Sequence, residues 1–234
     1  MCFLFLSYLV SCVKRVITNQ THHRNKGYSC RNFFCKLIVV NYLGHAYLSF
    51  GDPEVTTGNM ISDFVKGKKK YEYPSRILAG INLHREIDQF TDQHPVNKQL
   101  ARIFKPTYGL YSAAFVDIIY DHFIALEIES RGEGHLGVFA ERVYADVDKY
   151  IELLPATFNN LFPFMKQHNW LYNYQFGWGI EKSLAGMVHR ARYISDSVTA
   201  YNLFIDNYEE IQNSYRIFFP ELVSFSLNKF SDIH

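Results

Sequence analysis

The chain has 234 residues, enough for one large domain or two small ones, and 17% of them are aromatic, so a substantial core can form. The formal net charge is +1, but residues 1–39 contain six basic and no acidic side chains. The remainder therefore carries 18 basic and 23 acidic side chains, a net charge of −5. Nucleic-acid-binding domains usually show the opposite balance, so this composition argues against a nucleic-acid partner.

The first 39 residues differ in composition from the rest of the chain. They contain all four cysteines, without the spacing of a zinc site, and the apolar run Met1–Cys12 is about half as long as a membrane-spanning helix. We predict that residues 1–39 are a non-native or disordered extension from a start assigned too far upstream, with a membrane anchor at Met1–Cys12 as the alternative. The predicted domain, residues 40–234, lacks cysteine and suits a reducing, cytoplasmic setting.

From Asn41 onward the sequence predicts helices separated by turns. His45 lies among apolar neighbours, Asp52–Glu54 is typical of a helix entry, and Thr56–Asn59 is typical of a second turn. Asp63 follows within the apolar hexamer MISDFV. An ionised carboxylate in apolar surroundings is costly unless it is paired or bound to a metal, so Asp63 is a candidate site residue.

A basic run comes directly after Asp63 and consists of Lys66, Lys68, Lys69 and Lys70. Such a run is usually a solvated loop, although it can also receive an acidic partner. The next helix start is predicted shortly afterwards, at a Tyr-Pro-Ser sequence whose proline suits the first helical turn.

The segment Leu78–Asp92 predicts a helix that carries the densest group of polar residues. His84 and Asp88 are four residues apart and therefore share one face of this helix. A histidine and a carboxylate at this spacing can hold one metal ion, or act as a base and its orienting partner. An ordinary charged surface helix is the alternative. Arg85 can neutralise a phosphate oxygen or form a structural ion pair near Glu86.

A short helix over Asn97–Phe104 is predicted to precede a second helix with embedded acids, Ser112–Leu126. Asp117 and Asp121 are four residues apart in this segment, with His122 beside them, and apolar residues surround them on nearly every side. A buried carboxylate needs a partner, which can be a metal ion or, for Asp121, an arginine. His122 can equally be a core histidine with satisfied ring nitrogens.

The last hundred residues predict helices that supply core more than chemistry. Hydrophobic residues recur there at helical spacing, and the aromatic cluster within Asn169–Arg192 is typical of a core or a cleft wall. No alternating strand pattern follows Val40. The predicted fold is therefore a single all-α domain.

Several of these segments together resemble one family, the bacterial acyl carrier protein phosphodiesterases. The similarity runs from about Asn41 to about Pro220, in motifs that keep the family's order. The motifs are Asn41–His45, Gly58–Gly67, Gly80–Asp92, Asp117–Phe123 and Leu184–Met187.

The resemblance implies a divergent branch of the HD-type phosphohydrolases, which are helical and metal-dependent. It implies a manganese-dependent enzyme, with magnesium or another divalent metal as alternatives, that cleaves the phosphodiester between 4′-phosphopantetheine and a serine of holo-acyl carrier protein. The chain departs from the wider superfamily at Asp121-His122, where the usual order is His-Asp. The ligands therefore cannot be assigned by the superfamily's pattern.

The residues and the resemblance together define a candidate site. Its candidate metal ligands, whose oxygen and imidazole donors suit manganese, are His45, Asp63, His84, Asp88, Asp117, Asp121 and His122. The candidate catalytic residues are Asp63, His84, Arg85 and Asp88, and the four lysines of the basic run are candidate contacts for the acidic carrier protein. The alternatives are an HD-like phosphohydrolase for a small phosphoester or nucleotide, and a non-catalytic helical binding protein. Neither a nucleic acid nor a membrane is an expected partner.

Overall fold

The computed structural model describes residues 41–191 and 193–233, and these residues form helices and connecting turns without a strand. The α-helices are α1 (Tyr42–Tyr47), α2 (Pro53–Ile61), α3 (Ser75–Gln93), α4 (Pro95–Tyr108), α5 (Ser112–Glu129), α6 (His135–Asp148), α7 (Ala156–Gln167), α8 (Trp170–Asn173), α9 (Gly177–Arg190), α10 (Val198–Asp206) and α11 (Tyr208–Ser231). Short 3-10 helices span Ser62–Phe64, Gly67–Glu72, Gly109–Tyr111 and Ile151–Leu153. The predicted all-α domain is confirmed, whereas its likeness to the HD fold stays a prediction. The predicted extension over residues 1–39 lies outside the described residues.

Two expectations about local structure were wrong. The predicted turn at Thr56–Asn59 lies inside α2, which begins after Asp52, whose carboxylate accepts hydrogen bonds from the first backbone N–H groups of the helix. The helix predicted at Asn97–Phe104 is longer and spans Pro95–Tyr108. It extends in both directions because proline is tolerated in the first turn and because Tyr108, near its end, is buried in the core.

The α2–α3 pair forms the most extensive helix contact in the domain, and two glycines allow it. A Cβ atom on Gly58 of α2 would lie 2.0 Å from the carbonyl oxygen of Ile77, and one on Gly80 of α3 would lie 2.3 Å from the carbonyl oxygen of Val55. Only glycine fits at such close backbone approaches. The crossing therefore places Val55 and Gly58 of α2 directly against Ile77 and Gly80 in the first two turns of α3.

Helix α5 forms the centre of the core. Its residues Phe115, Ile118 and Ile119 have no exposed surface, and the helix contacts α1, α4, α6, α9 and α11. A helix that is apolar on nearly every side is expected to be covered by others, and α5 is. This arrangement brings the acidic residues of α5 into the interior.

One stretch, Pro95–Glu129, has the length and composition of a membrane-spanning helix. It consists of α4, a 3-10 turn and α5, and 67% of its most apolar window is buried inside the domain. Core helices of globular proteins pass the same test of length and hydropathy. The packing of this stretch is that of a core helix.

Candidate metal centre

Three side chains from two helices converge on one point beneath the surface. His45 comes from α1, and His84 and Asp88 come from successive turns of α3. His45 Nε2 lies 3.4 Å from Asp88 Oδ1, and His84 Nε2 lies 3.4 Å from Asp88 Oδ2. One ligand atom from each of the three side chains lies within 4.8 Å of the others, so a single metal ion can contact all three.

Asp63 supplies a fourth donor beside this group. It lies in the 3-10 turn Ser62–Phe64 that follows α2, and its Oδ1 is 3.5 Å from His84 Nε2. The Asp63 side chain is 17% exposed and the Asp88 side chain 27%, whereas both histidines are buried. The carboxylates therefore form the solvent-facing side of the centre, and the imidazoles form its buried side.

The orientation of His84 is fixed by its second ring nitrogen. Nδ1 donates a hydrogen bond to the main-chain carbonyl of Asn59 over 2.8 Å, which leaves Nε2 directed at the carboxylates, where it can bind an ion once it has lost its proton. The His84 ring also stacks on the His45 ring, with centroids 3.8 Å apart and planes 17° from parallel. A hydrogen bond from the ring nitrogen that does not bind the ion is the usual way to orient a metal-binding histidine.

The unpaired polar atoms of the centre fit a bound cation. His45 Nδ1 is buried without a hydrogen-bond partner, and the buried Nε2 atoms of His45 and His84 have carboxylate contacts at 3.4–3.5 Å, too long for good hydrogen bonds. Buried polar atoms without partners are uncommon in folded proteins and indicate a strained or ligand-binding group. Two imidazoles and one or two carboxylates are donors that suit a divalent metal ion.

The charges within the centre are strongly coupled. Burial lowers the pKa of His84, but the carboxylates of Asp88 and Asp63 outweigh burial and raise this pKa to about 9. Burial and the neighbouring His84 lower the pKa of His45, against the effect of Asp88. Burial acts to raise the pKa of Asp88, but the two histidines hold it well below its ordinary value. In the metal-free protein a proton on His84 therefore balances the carboxylates.

Asp117 lies beside the centre, and the negative charge of the centre favours its neutral form. Its carboxyl group projects from α5, and burial raises its pKa well above the ordinary value, as do the charges of Asp88, Asp92, Asp121 and Asp63. Asp117 is therefore close enough for the charges of the centre to change its pKa. It is not one of the three side chains whose ligand atoms converge.

Asp121, a candidate ligand from the sequence, is engaged elsewhere. Its carboxylate accepts hydrogen bonds from the backbone N–H groups of Leu43 (3.1 Å) and Gly44 (2.8 Å), at the start of α1, and also bonds the Tyr174 side chain. Burial raises the pKa of Asp121 to about 8, although all three of these bonds favour the ionised form. A Cβ on Gly44 would lie 3.2 Å from Asp121 Oδ1, so glycine suits this contact. Asp121 is thus partnered by two backbone N–H groups and a tyrosine, and not by the metal ion or the arginine considered from the sequence.

His122, another candidate ligand, is also directed away from the centre. Its Nδ1 donates to the carbonyl of Tyr174 over 2.8 Å, and its Nε2 lies 3.2 Å from the hydroxyl of Tyr208. Its ring packs edge-on against the rings of Phe123 and Phe204. His122 is therefore a core histidine whose ring nitrogens both have partners, which was the alternative considered from the sequence.

Hydrogen bonds join α3 to the segment that follows Asp63, one through Arg85 and one through the basic run. The Arg85 guanidinium donates to the carbonyl of Val65 over 2.8 Å, two residues after Asp63, and it is Lys229 that pairs with Glu86. Lys70 Nζ donates to the Asn82 side chain over 2.8 Å. Two residues of α3 therefore hold the segment after Asp63 against the helix that supplies His84 and Asp88.

Asn59 contacts both histidines and was not among the residues predicted from the sequence. Its main-chain carbonyl accepts from His84, and its side-chain Nδ2 donates to the carbonyl of His45 over 2.9 Å. The sequence offered one signal, since Asn59 lies in a motif shared with the phosphodiesterase family. Its pairing with both histidines depends on the α2–α3 crossing, which the sequence does not reveal.

The stability of the metal-free domain is expected to fall as the pH rises from 7 to 9.5. The pKa of His84 is about 9 in the folded protein and 6.5 as the ordinary value, so its stabilisation is complete below pH 6.5 and is lost as the pH rises through 9. The raised pKa values of Asp121 and Asp117 act in the same direction. Urea unfolding in chelator should show a loss on the order of 2 kcal/mol. A loss of equal size in His84→Gln would contradict the role given to His84.

The fold and the site define an all-α protein with a partly buried candidate metal centre of histidine and carboxylate ligands. The family model described as acyl carrier protein phosphodiesterase matches residues 40–222, and the chain belongs to this family. The resemblance noted in the sequence is thus confirmed, as is the prediction that the chain is a phosphodiesterase.

Curated relatives agree over nearly their whole length. Proteins named acyl carrier protein phosphodiesterase from Photorhabdus laumondii and Yersinia enterocolitica are each 27% identical to this chain over 191 residues. The matches cover 81% of this chain and 96% and 99% of the two relatives, respectively. No solved structure matches the chain.

Proposed function

We propose that this protein is a manganese-dependent hydrolase that removes 4′-phosphopantetheine from holo-acyl carrier protein. Water is consumed: its hydroxyl bonds to phosphorus as the bond from phosphorus to the serine oxygen breaks, and the serine oxygen leaves with a proton. The products are apo-acyl carrier protein and 4′-phosphopantetheine. The observation that carries the proposal is the convergence of His45, His84 and Asp88, with one ligand atom of each within 4.8 Å of the others and both imidazoles buried. The names of the relatives supply the carrier protein as substrate.

The proposed ligands are His45, His84 and Asp88, with Asp63 as a fourth. A bound divalent ion would supply two things, a lowered pKa for water and polarisation of a phosphoryl oxygen. Two imidazole donors favour manganese over magnesium, because magnesium prefers an all-oxygen environment.

The remaining chemistry falls to side chains at the open side of the centre. Asp63, which is partly exposed and lies 3.5 Å from His84, is the proposed acceptor of the proton of the attacking water. Arg85 holds Val65 and thereby the segment that carries Asp63. Its other N–H groups are the proposed donors to a phosphate oxygen. The proposed catalytic residues are thus Asp63, His84, Arg85 and Asp88.

The basic run is the proposed docking surface for the carrier protein, which is small and acidic. Lys66, Lys68 and Lys69 are exposed, and Lys70 is bound to Asn82. Because the run begins three residues after Asp63, a partner attracted to it arrives beside the metal centre. We also propose a cytoplasmic location, since the chain after Cys35 has no cysteine and requires no disulfide.

Replacing Lys68 and Lys69 by alanine should lower kcat/KM for holo-acyl carrier protein about tenfold at low salt. The difference from the wild type should shrink as salt is added, because these lysines are exposed and their field is screened. The control is Lys98→Ala with Lys105→Ala, two exposed lysines on α4 whose loss changes the net charge equally. Equal losses in the two double variants would contradict a docking role for the basic run.

The proposed function is tested by intact-mass spectrometry of holo-acyl carrier protein incubated with the full chain. We expect the mass of the 4′-phosphopantetheine group to be lost when manganese is present and retained when a chelator is present. An unchanged carrier protein in the presence of folded, manganese-loaded protein would overturn the proposal. If small phosphodiesters were hydrolysed faster than the carrier protein, the proposal that the carrier protein is the substrate would be overturned.

A further inference from the structure

We propose that Asn59 is the positioning residue of the metal centre, which sets His45 and His84 at their mutual distance and angle. This inference rests on the proposed metal centre and adds a residue that touches neither the ion nor the substrate. Asn59 is completely buried at the end of α2, between the helices that carry the two histidines. It bonds to each of them through a different chemical group.

The link to His84 runs through the main chain. The Asn59 carbonyl lies in the last turn of α2, where helical carbonyls lack partners within the helix, and it accepts from His84 Nδ1 over 2.8 Å. The neighbouring Gly58 packs against the Ile77 carbonyl, which fixes the backbone from which the Asn59 carbonyl projects. The tautomer of His84, with a free Nε2, follows from this bond.

The link to His45 runs through the side chain. His45 Nδ1 has no hydrogen-bond partner and its Nε2 has a 3.4 Å contact with Asp88, so the position of the ring depends on the main chain, on this contact and on stacking against His84. Asn59 Nδ2 donates to the His45 carbonyl over 2.9 Å and to Ser49 Oγ over 3.1 Å, while Ser49 Oγ donates to the same carbonyl over 2.8 Å. Asn59 thereby fastens the end of α1 to α2.

The choice of asparagine follows from these partners. An amide nitrogen has two N–H donors, and here it meets two oxygen atoms, the His45 carbonyl and Ser49 Oγ. Aspartate has the same shape but would place an acceptor against these oxygen atoms. Alanine would leave a cavity and free α1, although the main-chain bond to His84 would remain. Each of these changes loosens His45 relative to His84 without removing a ligand.

The test measures manganese affinity by calorimetry, together with the melting temperature in chelator, for the full chain and for Asn59→Ala. The matched control is Asn97→Ala, because Asn97 is also a buried asparagine with two hydrogen bonds, to Tyr120 and Thr91, but lies outside the centre. Both variants should melt at lower temperature than the wild type. Only Asn59→Ala should also bind manganese 10- to 100-fold more weakly.

Asn59→Ser is the second variant and is used if the alanine variant does not fold. Its shorter hydroxyl cannot reach both acceptors, so we expect at least a threefold loss of manganese affinity. A manganese affinity in the Asn59 variants equal to that of the wild type, with only the melting temperature lowered, would overturn the positioning role and leave the proposed function intact. If the wild type itself bound no manganese, the metal centre would be overturned and the positioning role with it.

Discussion

Asp88→Asn is expected to lower the turnover of holo-acyl carrier protein by about 10³-fold and to abolish stoichiometric manganese binding. Asp88 is the side chain that both histidines face, with one carboxylate oxygen 3.4 Å from each Nε2. The amide keeps the shape but removes the negative charge and one acceptor. This rate change corresponds to an increase of about 4 kcal/mol in the activation free energy, because the stabilisation of the transition state by the metal is lost.

The control for this variant is Glu86→Gln on the same helix. Glu86 pairs with Lys229 over 3.2 Å at the surface, and exposed ion pairs contribute little to stability. Turnover and manganese binding should therefore match the wild type. Turnover is measured by carrier-protein mass and binding by calorimetry. The assignment of Asp88 would fail if Asp88→Asn retained more than a tenth of wild-type turnover.

Gly58→Ala is expected to destabilise the domain by about 3 kcal/mol or more. The added Cβ would lie 2.0 Å from the carbonyl oxygen of Ile77, a backbone atom that cannot turn aside, so α2 and α3 must separate. Urea unfolding in chelator measures the change in the free energy of unfolding. Because separation also moves the Asn59 carbonyl away from His84, the variant that remains folded should bind manganese more weakly.

Gly137→Ala on α6 is the matched control for this prediction. A Cβ there would meet only Tyr172, at 3.8 Å, an ordinary van der Waals distance. Alanine is the better helix former, so this variant should be as stable as the wild type or more stable by up to about 1 kcal/mol. Similar losses in both variants would show that the α2–α3 approach does not require glycine at position 58.

The parts of the site that the sequence predicted are those that follow from local geometry. His84 and Asp88 face the same point because residues four apart on a helix share a face, and α3 formed where it was predicted. Asp63 was a candidate because of its apolar surroundings, and the family motifs linked it and His45 with α3, which no periodicity could do. The helices α3 and α5 were predicted for the same reason, since their apolar pattern is local.

The parts that the sequence did not predict depend on backbone groups that are distant in the chain. The apolar pattern of α5 correctly indicated that Asp121 is buried, but its partners are main-chain N–H groups 77 and 78 residues earlier, which have no sequence signature. His122, the next residue, is rotated by about 100° around the helix and therefore faces different neighbours. The Gly-Asn pair in α2 was predicted as a turn because a glycine required by close packing cannot be told from one required by a turn.

The bond from Asp121 to the start of α1 has a consequence for the order in which the protein is made. Helix α1 has six residues, too few to persist alone, and its first N–H groups depend on a carboxylate that is synthesised much later. A nascent chain that still holds Asp121 inside the ribosome contains all the proposed ligands, yet it has no support for the segment that carries His45. The proposed metal centre would therefore be complete only after α5 has emerged, and a chain truncated before α5 would lack this support for the segment that carries His45.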